Sequence, residues 1–113
     1  MTIRLTLLAA LDVETILNET AATFGHRQMH AYADIIDRAV SQIDADPMRP
    51  GSRECWGFSA PIRQYHLELA AGRRGAAAHS LYYRIDPEAV SVLRVLHQRM
   101  EPATHLIAAL SQG

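Results

Sequence analysis

From Met29 to Ile43 apolar side chains recur at Met29, Tyr32, Ala33, Ile36, Ala39, Val40 and Ile43, while Arg27, Asp34, Asp37, Arg38 and Gln42 take the positions between. Steps of three and four place the first set on one face of a helix and the second on the other. A stripe that long must be buried, and a lone helix has nothing to bury it against, so a second layer is required. The helix also has a fixed end. Asp46 precedes Pro47, and a residue before proline is pushed out of the helical region.

The residues before it supply one partner. Ile3, Leu5 and Leu7 alternate with Arg4 and Thr6, the pattern of a half-buried strand. Asp12 is an expected helix N-cap, with Glu14 in the first turn where the helix dipole favours an acid. Val13, Ile16, Leu17, Ala21 and Phe24 follow at helical spacing up to Gly25, a natural stop. A connection as short as Gly25-His26 implies an antiparallel helical hairpin.

The second layer comes from the later residues. Asp46 to Pro61 holds Pro47, Pro50, Gly51, Gly57 and Pro61 and is expected to be one long irregular loop, pinned to the body by Trp56 and Phe58. Arg63, Tyr65, Leu67 and Leu69 then alternate with Gln64, His66 and Glu68, predicting a strand. "AAGRRGAAA" reads as a hairpin tip, Ala77 to Ile85 as a strand, and "DPEA" as a turn with proline at its favoured second position. Val90 to His97 is apolar on both faces for much of its length, which suits a central strand. Glu101-Pro102 opens a short final helix with Ala103, Leu106, Ile107 and Leu110 on one side.

The order is strand, helix, helix, strand, strand, strand, helix, without internal repeat, so residues 1–113 are expected to form a single α+β domain. The hairpin should cover one face of a mainly antiparallel four-stranded sheet. The opposite face, with Arg84 and Arg94, is left for a partner.

Charge narrows the function. The formal net charge is −1 at pH 7, and every basic residue other than histidine is arginine. A domain that lives on nucleic-acid phosphates carries a basic excess, because its cations replace condensed counterions. Arginine without lysine favours planar, hydrogen-bonded contacts over diffuse attraction. Cys55 is the only cysteine, which excludes an intrachain disulfide and suits a reducing cytoplasm. The apolar run near the N-terminus is interrupted by Asp12 and Glu14 and is too short to span a bilayer, so neither a signal peptide nor a membrane helix is expected.

Few residues offer chemistry. His26 and His30 stand one helical turn apart, but Arg27 follows the first where a zinc-protease helix needs glutamate, and no third ligand is indicated. No metal and no cofactor are expected. Cys55 lacks a local nucleophile signature, and Arg73-Arg74 reads as a soluble hairpin tip. His97 could serve as an acid or base beside Arg84, Arg94 and Arg99. Strand parity, however, sets Arg94 and His97 on opposite faces. A histidine ending a strand can equally cap backbone groups.

Four stretches carry a family resemblance: "LTLLAALDVETIL", "AATFG", "HSLYYRID" and "VLRVLHQRMEPATHL". In that order and spacing they resemble the ParE branch of the RelE/ParE family of type II toxin–antitoxin toxins. Leu17 and Glu19 stand where the family often has aromatics, and Thr104 where it often has arginine. The resemblance implies a cytoplasmic toxin that binds and inhibits DNA gyrase without catalysis of its own. It also implies a ParD-like ribbon–helix–helix antitoxin as partner, with DNA reached only through that partner. Arg84, Arg94, His97 and Arg99 are then the target-facing candidates, and His26, Met29, Tyr32 and Trp56 the antitoxin-facing ones. The RelE-like alternative is a ribosome-dependent messenger-RNA interferase using His97, Arg94 and Arg84. A third alternative is a degenerate toxin that retains only antitoxin binding.

Overall fold

Burying the stripe of the long helix organises the molecule, and the sheet that buries it has five strands. The computed structural model describes residues 2–111. In chain order these form β1 (Thr2–Leu5), α1 (Leu7–Phe24), α2 (His26–Ala45), β2 (Arg53–Cys55), β3 (Ile62–His66), α3 (Leu67–Ala71), β4 (His79–Ile85), β5 (Ala89–His97) and α4 (Pro102–Ser111). The strand order is β1-β5-β4-β3-β2. β1 lies parallel to β5, and the other pairs are antiparallel. The α+β class, the early helical hairpin and the short last helix are as the sequence predicts.

The fifth strand is β2, inside the expected irregular loop. Its three residues pair with Ile62, Arg63 and Gln64, a length too short to show alternation. Trp56, expected to pin this loop, is instead 84% exposed, while Phe58 does pack against the core. The strand expected over 63–69 stops at His66. Leu67 and Ala70 are both buried one helical turn apart in α3. The His66 imidazole caps that turn by accepting the Glu68 N–H, and Gly72 closes it with φ 71°. β4 likewise begins at His79 rather than Ala77.

Two clusters form the core on the two sides of the sheet. Ile16 of α1 and Ile36, Ala39 and Ile43 of α2 pack with Tyr65, Leu81, Tyr83, Val90, Val92 and Val95. Ile62, Tyr82, Leu93 and Leu96 pack on the other side with Leu106 and Ala109 of α4. The face expected to remain open is therefore partly covered by α4. A β-bulge makes both clusters continuous along β5. Tyr83 faces Val92 and Tyr82 faces Arg94, so Leu93 is the extra residue. The bulge lets Val92 and Val95, three apart, point the same way, and turns Leu93 and Leu96 to the other.

α1 starts at Leu7, not after Asp12. Thr6 is the cap: its hydroxyl accepts the Ala9 N–H at 3.1 Å and donates to the Leu93 carbonyl at 2.9 Å. Asp12 is freed for another task. β1 ends beside Val92, but β5 runs on to His97, and its edge would otherwise lack partners. Asp12 accepts the Val95 N–H at 3.0 Å and takes the Arg94 fork with Nε at 2.7 Å and Nη2 at 2.8 Å. Both side chains are largely buried, and the carboxylate keeps the Arg94 guanidinium still more firmly protonated than usual.

Asp12→Ala should cost about 2–3 kcal/mol, because it strands a partly buried guanidinium and a backbone N–H together. Arg94→Met should cost less, since Asp12 keeps Val95, and the double variant should be no worse than Asp12→Ala. Urea unfolding of the three proteins checks the order. Equal losses from the two single variants would show that Val95 contributes nothing.

Candidate functional site

Two open clefts meet at a pair of histidines. The larger, about 710 Å³, lies between the turn of the helical hairpin and the approach to β4, and is lined by Phe24, Tyr32, Ile35, Arg73 and Ala76 to Ala78 among others. The smaller, about 390 Å³, lies between α1 and the end of β5, where Asp12, Glu19, Val95, Arg99 and Met100 contribute. His79 and His97 line both. The register sets them side by side at the ends of β4 and β5, and their rings meet edge to face with centroids 5.1 Å apart.

Local hydrogen bonds fix these rings. The Tyr32 hydroxyl accepts the Ala78 N–H at 3.2 Å and lies 2.6 Å from His79 Nδ1. With that amide already directed at its oxygen, the hydroxyl is best satisfied by donating its proton to Nδ1. His79 is then neutral with its proton on Nε2. Burial, the neighbouring His97 and His66 lower its pKa to about 4, against a smaller opposing pull from Asp12. Burial pushes the Tyr32 hydroxyl above its ordinary value. His97 Nδ1 accepts the Arg99 N–H at 3.1 Å, and its carbonyl accepts the Met100 N–H at 2.9 Å. That imidazole caps the turn after β5.

The sequence candidates fall in separate places. Arg94 and His97 stand on opposite sides of β5, opposite Tyr82 and His79 respectively. Arg94 is tied to Asp12. Arg84 Nε lies 2.8 Å from Asp86 Oδ1, an ion pair, although the approach is too far off the N–H axis to count as a hydrogen bond. Arg99 is exposed. His26 is exposed and Met29 half-buried at the start of α2, and Tyr32 is held by Ala78 and His79. Trp56 follows β2 at the end of the sheet away from the larger cleft. Cys55 is half-buried, with its thiol pKa raised by burial. Among the described residues no cluster of three or more His, Cys, Asp or Glu side chains could hold a metal ion, and no helix is long and apolar enough to cross a membrane.

Sequence reading missed His79. "HSLYYRID" places it at a strand start, with no motif around it. Its partners are 47 positions away at Tyr32 and 18 away at His97, so the β4–β5 register and the packing of α2 on the sheet are both needed to bring them together.

A helical hairpin on one face of a mixed sheet, a last helix on the other, and open clefts around the central strand ends define a small α+β domain. The same fold occurs in a solved structure of the chromosomal ParDE TA system from P. aeruginosa, with a TM-score of 0.57 and 15% identity over 86% of this chain and 95% of that one. Residues 3–102 match the family described as the ParE toxin of the type II toxin–antitoxin system parDE, and the chain belongs to that family. The match ends at Pro102, so nearly all of α4 lies beyond it. No curated protein matches the chain.

The lowered His79 pKa has a sign. The unfolded chain binds this proton near pH 6.5 and the folded chain only near pH 4. The contribution is therefore complete above about pH 6.5 and is lost as pH falls towards 4. His79→Gln should flatten that acid limb. Urea midpoints at pH 7.5, 6, 5 and 4.5 test this, and parallel curves for both proteins would refute it.

Proposed function

We propose that the protein arrests growth by binding DNA gyrase, without bond-making chemistry of its own, and that a cognate ParD-like antitoxin neutralises it. Membership of the ParE toxin family across residues 3–102 carries this reading. The antitoxin part is supported by the larger cleft. Phe24, 70% exposed, with Ala31, Ile35 and Ala76 to Ala78, offers an apolar trough, and Arg73 a cation at the lip. That suits the apolar stripe of an amphipathic helix carrying an acid. Tyr32 lies in this trough, and Met29 and His26 precede it on the same helix.

The preference for gyrase over ribosome-bound message rests on the state of the ionisable groups. Cleaving RNA at its 2′-hydroxyl needs an acid or base close to working pH beside cations that stabilise developing charge. His79 is held neutral, and the Arg94 fork is closed on Asp12. The net charge of −1 gives no general attraction to a phosphate-dense ribosome. Arg99, exposed beside Met100, is the most available of the target-facing candidates.

Supercoiling and DNA-cleavage assays with purified gyrase, run beside a coupled translation assay, test the proposal. Inhibited supercoiling with undisturbed translation is expected. Cleavage of ribosome-bound message would replace the proposal with the interferase reading, and expression without growth arrest would leave antitoxin binding alone. Arg99→Ala should weaken inhibition about tenfold or more, the scale of one well-placed contact, without changing the urea midpoint. Arg94→Ala should lose activity only as it loses stability.

A further inference from the structure

The ring contact between the clefts belongs to a longer chain. It begins at the Ala78 N–H, passes through the Tyr32 hydroxyl to His79 Nδ1, crosses the edge-to-face contact to His97, and ends where His97 Nδ1 accepts the Arg99 N–H. Two backbone bonds close the same region. Gln98 N–H donates to the Ala78 carbonyl at 2.8 Å, and Met100 N–H donates to the His97 carbonyl at 2.9 Å. The turn carrying Arg99 thus hangs from a ring that is itself positioned by α2, although Tyr32 and Arg99 are far apart in sequence.

Each link constrains the next. Tyr32 also meets the His79 ring edge-on, with centroids 5.6 Å apart and planes at 70°. The His79 and His97 planes stand at 87°. In a T-shaped pair the edge of one ring sits on the face of the other, so rotating either one breaks the contact. Rotating His97 also withdraws Nδ1 from the Arg99 amide. Tyr32 from α2 and His97 from β5 bear on His79 by contact, and His66 from β3 and Asp12 from α1 only through their charge. Of these, Tyr32 is hydrogen-bonded to His79 and in ring contact with it, and His97 is in ring contact.

We propose that Tyr32 and His79 are positioning residues for Arg99, holding the His97 imidazole from which its turn is suspended and so joining the larger cleft to the Arg99 surface. A group seated against Tyr32 and His79 in the larger cleft bears on the same chain that sets the turn. Only the functional importance of the turn rests on the gyrase reading; the positioning itself does not.

The test reads the Arg99 backbone amide by NMR in the full chain. Tyr32→Phe removes the hydroxyl and keeps the ring, and His79→Leu removes the acceptor. Both should shift the Arg99 amide and speed its hydrogen exchange about tenfold, a local opening at one site. Tyr65→Phe is the control, because the Tyr65 hydroxyl also joins the sheet to α2, donating to Gln42 Oε1 at 2.8 Å, but lies outside the chain. It should leave Arg99 unchanged. An unaltered Arg99 amide in folded Tyr32→Phe, or an equal change in Tyr65→Phe, would overturn the proposal. In the supercoiling assay Tyr32→Phe should weaken inhibition in the same direction as Arg99→Ala. If the unsubstituted protein leaves gyrase untouched, the gyrase reading falls, and the amide comparison still decides this one.

Discussion

The second half of β5 has a neighbouring strand on one side only. β1 pairs with it through Val92 and then turns into α1, while β5 continues for five more residues. An unpaired strand edge inside a small domain is costly, since buried backbone groups need partners. α1 resolves this with side chains. Thr6 takes the Leu93 carbonyl, and Asp12 takes the Val95 N–H together with Arg94. These bonds fix how α1 lies along the sheet. They thereby position α2, packed antiparallel to α1, and both clefts bounded by the hairpin. The bulge at Leu93 belongs to the same solution. It sends Arg94 towards Asp12 and still leaves Val95 and Leu96 in the two halves of the core.

The parts of the fold that were legible in the sequence have a period. The α2 stripe, the alternation of β4 and the two-faced β5 each repeat a local rule over enough residues to be read. What was misplaced lacks either length or local cause. β2 is three residues long. α3 is one turn, and its Leu67 and Ala70 satisfy a helical spacing that also fits the end of an alternating strand. Asp12 has the composition of an N-cap, but its partners are more than eighty positions away, so a long-range ion pair overrode a local preference. Trp56 shows the opposite limit, because a large apolar residue is not thereby a buried one.

The site was less legible than the fold for the same reason. Arg94, His97 and Arg99 are neighbours in sequence, and the structure separates them. Arg94 turns to α1, His97 to His79, and Arg99 to solvent. His79, which joins the two clefts, carries no local signal at all. A register of seven paired positions between β4 and β5 brings the two histidines together, and the side chain that fixes their orientation comes from a helix whose stripe already explained Tyr32 as core. A residue with an adequate packing role can thus hide a polar one.

The arginines connect fold to function. Arg4 donates to Ser91, Arg38 to the Ala70 carbonyl, Arg63 to Ser52, and Arg94 to Asp12, while Arg84 pairs with Asp86 and Arg49 stacks on Tyr65. These are uses for a planar fork with fixed donor directions, which a lysine ammonium would serve poorly. They account for a basic complement made only of arginine. The exposed remainder, Arg27, Arg53, Arg73, Arg74 and Arg99, is distributed over the start of α2, the β2 edge, the tip before β4 and the turn after β5. Balanced by the acids of a chain with net charge −1, these cations give no general basic excess for a phosphate backbone. They are better suited to individual contacts at the edges of protein interfaces, where one charge adds orientation and the apolar trough supplies area.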